Sequence, residues 1–248
     1  MQLLKNELKN VGKTAISIVY PQRCPVCDGV VGIFAGDRLI HEECRKKIGF
    51  ITGNTCMKCG KPLSGKDSEL EYCLDCRRMN HVFDRGFGAF EYRSISGSIY
   101  RFKYMGRQEY AEFYAQEIAA RYGKRIKRLG VEAIVPVPMF REKERKRGYN
   151  QAEVLAAGLS EKLGIPLEKN LIKRTVDTLP MKQLDARGRR INLKKAFNIS
   201  RNDVKFKCIL IIDDIYTTGS TIDEIAHEFR IAGVQRIYFL TLAIGQTT

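Results

Sequence analysis

The sequence predicts an α/β protein with a doubly wound parallel sheet and a small cysteine-rich module near its N-terminus. Short apolar runs, such as 131–138 and 209–212, alternate with stretches of helical periodicity over the last two thirds of the chain. That alternation is typical of a parallel sheet covered by helices. Seven of the eight cysteines lie within residues 24–76 and mark the module. A chain of 248 residues is long enough for both parts.

Residues 1–22 are predicted to form an amphipathic N-terminal segment. Charged side chains such as Lys5, Glu7 and Lys13 interrupt its apolar residues. The segment therefore lacks the continuous apolar core and the cleavage site of a signal peptide. No apolar run in the chain approaches the length of a membrane span. We therefore expect a cytoplasmic protein with no membrane span.

Residues 23–80 are predicted to form a double zinc ribbon. Cytosolic proteins rarely use disulfides, whereas paired C-x-x-C spacing is typical of structural Zn²⁺ held by thiolates. The pattern occurs twice, since an offset of 32 residues (56 − 24 and 73 − 41) relates the second copy to the first. His41 stands where the second copy has Cys73, so His41 is predicted to be a ligand.

Each copy is expected to close one tetrahedral site of its own. A pairing of ligands that crosses between the copies is the alternative. Few apolar residues lie between the cysteines, so metal is expected to supply most of the folding energy. Chelation should then unfold residues 24–76 and leave the rest largely folded. The two predicted ligand sets are Cys24, Cys27, His41 and Cys44, and Cys56, Cys59, Cys73 and Cys76.

Residues 81–248 are predicted to form the α/β domain. Ligands of such sheets bind at the carboxyl ends of strands, so the loops after Val137 and Ile212 are expected to converge. The predicted elements are a strand at 87–92, helical residues 96–128 interrupted at Gly106, a strand at 131–138, a charged loop at 141–148, a helix from Asn150 to Leu163, a strand at 167–173, a basic and partly helical stretch at 181–197, a strand at 209–212 followed by a helix, and a strand at 235–244.

The stretch 209–221 combines features of an anion site. Asp213 and Asp214 are placed where the predicted strand ends, and a turn rich in hydroxyl groups leads into the next helix. Free N–H groups and the helix dipole at such a turn favour a phosphate, while carboxylates accept hydrogen bonds from sugar hydroxyls. This predicts a phosphorylated sugar as ligand. Gly219 is expected to let the phosphate approach the backbone, so that a side chain there would obstruct it.

The same stretch resembles the phosphoribosyl pyrophosphate (PRPP) signature of type I phosphoribosyltransferases, and the chain as a whole resembles the ComF/ComFC family. The matching motifs are Pro136-Val137-Pro138, Arg147-Gly148-Tyr149-Asn150-Gln151, Gln183, Arg190-Ile191-Asn192, Phe197 and the signature 209–221. The resemblance implies a double zinc ribbon followed by a type I phosphoribosyltransferase-like domain. It also implies PRPP with Mg²⁺ as ligand and a role in natural competence, beside a helicase partner and on single-stranded DNA.

The resemblance also assigns the site residues. Asp213 and Asp214 would be catalytic, accepting hydrogen bonds from the ribose and stabilising positive charge on the sugar if pyrophosphate is displaced. Two functions stay open: a PRPP-binding competence protein, or an active phosphoribosyltransferase of nucleotide metabolism with an unassigned acceptor. The residues predicted to contact PRPP or its pyrophosphate are Thr217, Thr218, Gly219, Ser220, Thr221, Lys103, Pro138, Arg147 and Asn150.

The formal net charge of +15 predicts an affinity for polyanions. Nucleotide, pyrophosphate and nucleic acid would each satisfy it, and charge alone does not choose among them. The basic residues form three clusters, which are Arg121, Lys124, Arg125, Lys127 and Arg128; Arg141, Lys143, Arg145, Lys146 and Arg147; and Arg187, Arg189, Arg190, Lys194 and Lys195.

Overall fold

The computed structural model describes residues 21–32, 38–176, 196–200 and 204–245, apart from the side chain of Lys66. Contacts divide the chain into two compact units, Met1–Ile48 and Gly49–Thr248. The residues of the predicted amphipathic segment up to 20 lie outside the described residues. So do most of the basic stretch 181–197, the motif residues Gln183 and Arg190 to Asn192, and the third basic cluster.

The first unit contains the first cysteine repeat. Its chain makes a tight turn in which the Cys24 N–H donates to the Gly29 carbonyl at 2.8 Å and the Asp28 N–H donates to the Cys24 carbonyl at 2.9 Å. An antiparallel bridge between Arg23 and Val30 closes this turn. Helix α1 (Glu42–Arg45) follows and carries the end of the repeat.

The second unit is built on a four-stranded parallel sheet with the order β1-β6-β5-β2. Central strand β5 pairs Ile209 with Ala133 on one side and with Ile237 on the other. The short strands β3 and β4 pair antiparallel in a separate two-stranded sheet. The predicted parallel sheet is confirmed, whereas the strand predicted at 167–173 is divided. Leu167 makes a parallel bridge to Ile134 of β2, and residues Ile172–Arg174 belong to the second sheet. The strands are β1 (Arg85–Glu91), β2 (Ala133–Pro136), β3 (Ile172–Arg174), β4 (Phe197–Ile199), β5 (Cys208–Tyr216) and β6 (Arg236–Ile244).

The helices follow the predicted pattern with one exception. Gly106, with φ +69°, separates the two helices predicted around it, and the Asn150 side chain accepts from the Ala152 N–H at the start of the next predicted helix. The helices of this unit are α2 (Leu74–Arg78), α3 (Tyr92–Tyr104), α4 (Tyr110–Arg128), α5 (Arg141–Arg147), α6 (Gln151–Leu163) and α7 (Ser220–Ile231), with a short 3₁₀ turn at Gly65–Asp67.

The exception is α5, which was predicted as a charged loop. All seven of its residues are Arg, Lys or Glu, which are good helix formers, and Gly148 ends it in the left-handed conformation at φ +89°. The predicted loop is wrong, because a high content of charged residues does not distinguish a loop from a helix. A charged run without Gly, Pro or Asn is equally compatible with a short solvated helix.

Both faces of the sheet are covered. Ile209 and Ile211 of β5 belong to a buried cluster with Ile225 and Phe229 of α7. Strand alternation directs the neighbouring Leu210 to the opposite face, where it is also fully buried. This double coverage is the doubly wound arrangement that the sequence predicts. In the part of the chain that the structure describes, no helix is long and apolar enough to cross a membrane.

The second cysteine repeat shares its core with the sheet. Cys56, Cys59 and Cys73 lie in the same buried cluster as Ile211. The Gly86 N–H of β1 also donates to the Lys58 carbonyl at 2.7 Å. Metal loss from this repeat should therefore destabilise the sheet as well, in contrast to the independent unfolding expected from sequence. The domain boundary near residue 80 stays a prediction.

Strand β1 offers a test of how tightly the sheet is packed. In Gly86→Ala the new Cβ would overlap the ring of Phe239, which is fully buried. We expect a loss of about 1–3 kcal/mol in the free energy of unfolding, measured by urea denaturation, as is usual for overpacking a core.

The matched control is Gly97→Ala, on the exposed side of α3. Its Cβ would meet only the Arg101 guanidinium, at 3.6 Å. Alanine is the better helix former, so this variant should gain about 0.5–1 kcal/mol. Equal effects of the two substitutions would contradict the packing described for β1.

Candidate functional site

The two acids lie at the carboxyl end of the central strand, but inside it. Pairing of β5 with β2 ends at Ile212 with Pro136, whereas pairing with β6 continues to Tyr216. Asp213 and Asp214 therefore extend beyond the neighbouring strand β2 while β6 holds their backbone straight. The expectation that the strand ends at Ile212 is wrong, because pairing with β6 continues β5 to Tyr216.

An ion pair connects the acids to α3. Lys103 Nζ lies 2.8 Å from Asp214 Oδ2, and both side chains are less than one fifth exposed. The Asp214 N–H donates to Asp213 Oδ1 at 2.8 Å. The structure thus brings the predicted residue Lys103 into direct contact with a predicted ribose-binding acid.

Burial and charge together set the protonation of this group. Burial, reinforced by the neighbouring Asp214 carboxylate, raises the pKa of Asp213 from 3.8 to about 7. Burial alone would lower the pKa of Lys103, but the Asp214 carboxylate outweighs burial and raises it above its ordinary value. The site therefore holds a cationic lysine, its paired carboxylate and a second carboxyl that titrates near neutrality.

The hydroxyl-rich turn forms a pocket with Asp213. Residues Asp213 and 215–222 line it. Thr218 Oγ1 and Ser220 Oγ lie 3.0 Å apart. Gly219 takes the N-cap position of α7 at φ +82°, and no side chain caps the helix there. The first N–H groups of α7 are thus left for a ligand, which is the arrangement that favours an anion.

Packing also requires glycine at position 219. A Cβ at this position would lie 2.6 Å from Tyr216 Oη and 3.1 Å from His81 Cε1. Both side chains support the turn, so the missing Cβ of Gly219 faces protein. The effect expected from sequence, obstruction of the phosphate, stays a prediction, and packing beneath the turn is the constraint that the structure adds.

Sequence reasoning missed the residues that support the turn. His81 Nδ1 lies 2.7 Å from Asp223 Oδ2, and the Val82 N–H donates to Asp223 Oδ1 at 2.9 Å. Tyr216 stacks on Phe239, with ring centroids 4.8 Å apart. His81 and Asp223 are separated by 142 positions. No local pattern in the sequence signals so distant a pairing.

The other predicted contacts lie around the end of β2. Asn150 is engaged by the protein itself, since its Nδ2 donates to the Val137 carbonyl at 3.0 Å while its Oδ1 caps α6. Arg147 donates to Gln151 Oε1 at 2.6 Å, and its guanidinium lies 4.8 Å from the centre of the Tyr104 ring. Pro138 is partly buried in the segment between β2 and α5.

The eight predicted metal-binding residues form two clusters, each confined to one repeat. Within each cluster the candidate ligand atoms lie within 4.8 Å of one another. The predicted grouping is therefore the one seen, and the crossed alternative is not. The clusters are Cys24, Cys27, His41 and Cys44, and Cys56, Cys59, Cys73 and Cys76.

Both clusters have the chemistry of structural zinc. Cys59 Sγ and Cys73 Sγ are 3.7 Å apart, near the spacing of about 3.8 Å that tetrahedral Zn–S bonds of about 2.3 Å require. His41 Nδ1 lies 3.3 Å from Cys27 Sγ, and its Nε2 lies 3.0 Å from the Val30 carbonyl. Metal-binding histidines commonly donate their second ring nitrogen in this way.

The charge distribution of the acid site can be tested through stability. The folded protein binds the Asp213 proton more tightly than the unfolded chain does, because the pKa of Asp213 is raised to about 7. This contribution to stability is complete below about pH 4 and is lost as the pH rises through about 7 and the carboxyl ionises. Asp213→Asn should therefore be more stable than the wild type above pH 7. The expected gain is at least about 1.4 kcal/mol, the equivalent of one pKa unit.

The matched variant Asp214→Asn should have the opposite effect. It leaves the Lys103 ammonium without its carboxylate, which should cost about 2 kcal/mol at neutral pH. Unfolding curves from pH 4 to pH 8 measure both variants. Destabilisation by both to the same extent would contradict the different environments assigned to the two acids.

A family model, curated relatives and solved structures are similar to parts of this chain. The Double zinc ribbon domain family matches residues 15–77, which together with the two clusters supports structural zinc in this chain. The DNA utilization protein YhgH of Escherichia coli O157:H7 is 31% identical over 69% of this chain and 75% of its own. Purine phosphoribosyltransferase of Pyrococcus horikoshii aligns with a TM-score of only 0.36 and 18% identity, over 55% of this chain and 84% of its own.

Competence protein F of Haemophilus influenzae is 34% identical to this chain over 226 residues. The alignment covers 85% of this chain and 98% of the relative. The match covers most of the chain, and it confirms the resemblance seen in the sequence. The chain belongs to the Competence protein F family.

Proposed function

We propose that this protein binds PRPP with Mg²⁺ at the acids and turn of β5 and α7, and that it acts on DNA during natural competence. The observation that carries the proposal is the pocket in which Asp213 adjoins the uncapped N-terminus of α7. Membership of a family whose relatives are named for competence and DNA utilization supports the second part.

The chemistry of the pocket suits a phosphoribosyl group. The backbone N–H groups and hydroxyls of Thr217 to Thr221 would hold the 5′-phosphate. Asp213 and Asp214 would accept hydrogen bonds from the ribose hydroxyls. Lys103 would then exchange its contact with Asp214 for a phosphate oxygen of the pyrophosphate. Mg²⁺ would arrive with the pyrophosphate, because it usually binds through substrate phosphates and waters.

The protonation of Asp213 favours a second candidate, an active phosphoribosyltransferase. A carboxyl with a pKa of about 7 is well placed to act as a general base at neutral pH. In this reaction an acceptor nitrogen would form a bond to ribose C1 while the bond from C1 to the pyrophosphate oxygen breaks. The proton lost by the acceptor would pass to Asp213. Release of pyrophosphate in the presence of candidate bases measures this activity.

The double variant Asp213→Asn, Asp214→Asn tests the proposed ligand. It removes both carboxylates from the site, so calorimetry with PRPP and Mg²⁺ should show at least a tenfold loss of affinity, about 1.4 kcal/mol. Arg145→Gln, on the exposed side of α5, is the control that should leave PRPP binding unchanged. Equal PRPP affinity in wild type and double variant would overturn the assignment of the acids.

The same variants test the biological role. In a naturally transformable bacterium that lacks its own family member, the wild-type chain should restore transformation and the double variant should not. Circular dichroism of the purified double variant confirms that it is folded. Full transformation by a folded double variant would show that transformation does not require Asp213 and Asp214. A helicase partner stays a prediction.

We also propose that the two clusters hold one zinc ion each, with His41 as a ligand. Elemental analysis of the purified protein should then give two zinc ions per chain. His41→Ala should give one, because it removes a ligand whose Nδ1 lies 3.3 Å from Cys27 Sγ. His41→Cys should keep two, since the second repeat has Cys73 at this position. If His41→Ala still held two zinc ions per chain, His41 would not be a ligand.

A further inference from the structure

We propose that Tyr100, Tyr104 and Arg147 form a stacking platform for the bases of single-stranded nucleic acid, with helix α5 contacting the phosphates. The inference rests on the DNA-related part of the proposed function and gives it a location on the protein. It does not depend on PRPP. We call these three side chains and the exposed residues of α5 the α3–α5 surface.

The two tyrosines are exposed aromatic groups on one side of a helix. Tyr100 is 58% and Tyr104 54% exposed, which is unusual for side chains of this size. They stand one turn apart on α3, and their ring centroids are 5.2 Å apart. Two neighbouring aromatic rings are therefore more than half exposed on this side of α3. Aromatic faces of this kind bind successive bases without regard to sequence.

Arg147 extends the platform across to α5. Its guanidinium lies 4.8 Å from the centre of the Tyr104 ring, and Gln151 Oε1 accepts from it at 2.6 Å. The arginine therefore has two contacts that orient it towards Tyr104. A planar guanidinium can stack on a base or bind a phosphate, so it serves either part of a nucleotide.

Helix α5 supplies the charge that a nucleic acid backbone requires. Five of its seven residues are Arg or Lys and two are Glu, which gives the helix a net charge of +3. Arg141, Arg145 and Lys146 are exposed. A cationic helix beside exposed aromatic rings fits a chain that alternates phosphates and bases. The combination of charge and rings favours nucleic acid over an apolar protein partner.

Two residues of the other described basic cluster, Arg121 and Arg125, take part in the protein's own packing. On α4, Arg121 lies 3.3 Å from the centre of the Phe50 ring, and Arg125 lies 4.7 Å from that of Phe87. Arg121 also pairs with Glu117. These cations cover aromatic side chains of the same unit. Of the two basic clusters within the described residues, α5 is the one placed beside exposed tyrosines.

The α3–α5 surface adjoins the proposed PRPP site. Lys103, next to Tyr104 in sequence, reaches in the other direction to Asp214. Tyr149 donates a hydrogen bond to the Phe102 carbonyl and so connects the end of α3 to the segment between α5 and α6. A single strand of nucleic acid stacked on the two tyrosines would therefore lie close to Asp213 and Asp214. Nucleic acid and PRPP would be bound on neighbouring parts of the same unit.

The experiment compares wild type with Tyr100→Ala, Tyr104→Ala in binding a fluorescent oligodeoxyadenylate. The double variant should lose about tenfold or more in affinity, because stacking contributes about 1–3 kcal/mol per base. Tyr100→Phe, Tyr104→Phe keeps the aromatic faces and should bind like wild type. An abasic oligonucleotide has the phosphates without the bases, so its affinity should be the same for wild type and the alanine variant.

Two further variants separate the parts of the surface. Arg145→Gln, Lys146→Gln should reduce the slope of log affinity against log salt by about 1.4, since each phosphate contact of a single strand contributes about 0.7. Tyr92→Ala is the aromatic control. It lies on α3 twelve positions before Tyr104, about 18 Å along the helix, and it should leave binding unchanged.

Calorimetry with PRPP in the same variants distinguishes the two proposals. Tyrosine-dependent DNA binding in a protein that binds no PRPP would leave the platform standing and overturn the proposed ligand. Wild-type DNA affinity in Tyr100→Ala, Tyr104→Ala would overturn the platform. So would equal losses for the abasic and the normal oligonucleotide, because the tyrosines would then act through something other than the bases.

Discussion

The contact between His81 and Asp223 is the interaction on which the proposed site depends most. It joins the segment that follows the second cysteine repeat to the first turn of α7, at a distance of 2.7 Å between Nδ1 and Oδ2. Phe83 packs edge-on against both Tyr216 and Phe239 beside it. The N-terminal end of α7 is therefore held from the ribbon side as well as from the sheet. The same packing leaves no room for a side chain at position 219, so the turn requires glycine there.

The acids are governed by a balance of burial and charge. The strand places two carboxyls side by side, and burial raises the pKa of Asp213. Lys103 stabilises the charge of Asp214, and Asp213 is left to take up or release a proton near neutrality. A negatively charged ligand would compete with Asp214 for the ammonium group of Lys103. Occupation of the site should thus redistribute charge among groups already in place, without large movement of the strands.

Much of the fold and part of the site follow from sequence. The parallel sheet, the break at Gly106 and the helix that begins at Asn150 depend on local patterns, and all are confirmed. The continuation of β5 to Tyr216 depends on its partner β6, which no local pattern reports. The pairing of His81 with Asp223 and the stacking of Arg147 on Tyr104 are tertiary contacts between distant or differently folded segments. The sequence does not predict helix α5, because a run of Arg, Lys and Glu can be exposed to solvent both as a helix and as a loop.

The common core of the second repeat and the sheet has a consequence for how the protein responds to metal supply. Cys56, Cys59 and Cys73 lie in the same cluster as Ile211 and Phe239. A cell short of zinc would then accumulate chains whose sheet, as well as whose ribbon, is incompletely folded and open to proteolysis. The amount of working protein would follow zinc availability. Zinc supply would in this way set the amount of folded protein without any dedicated regulator.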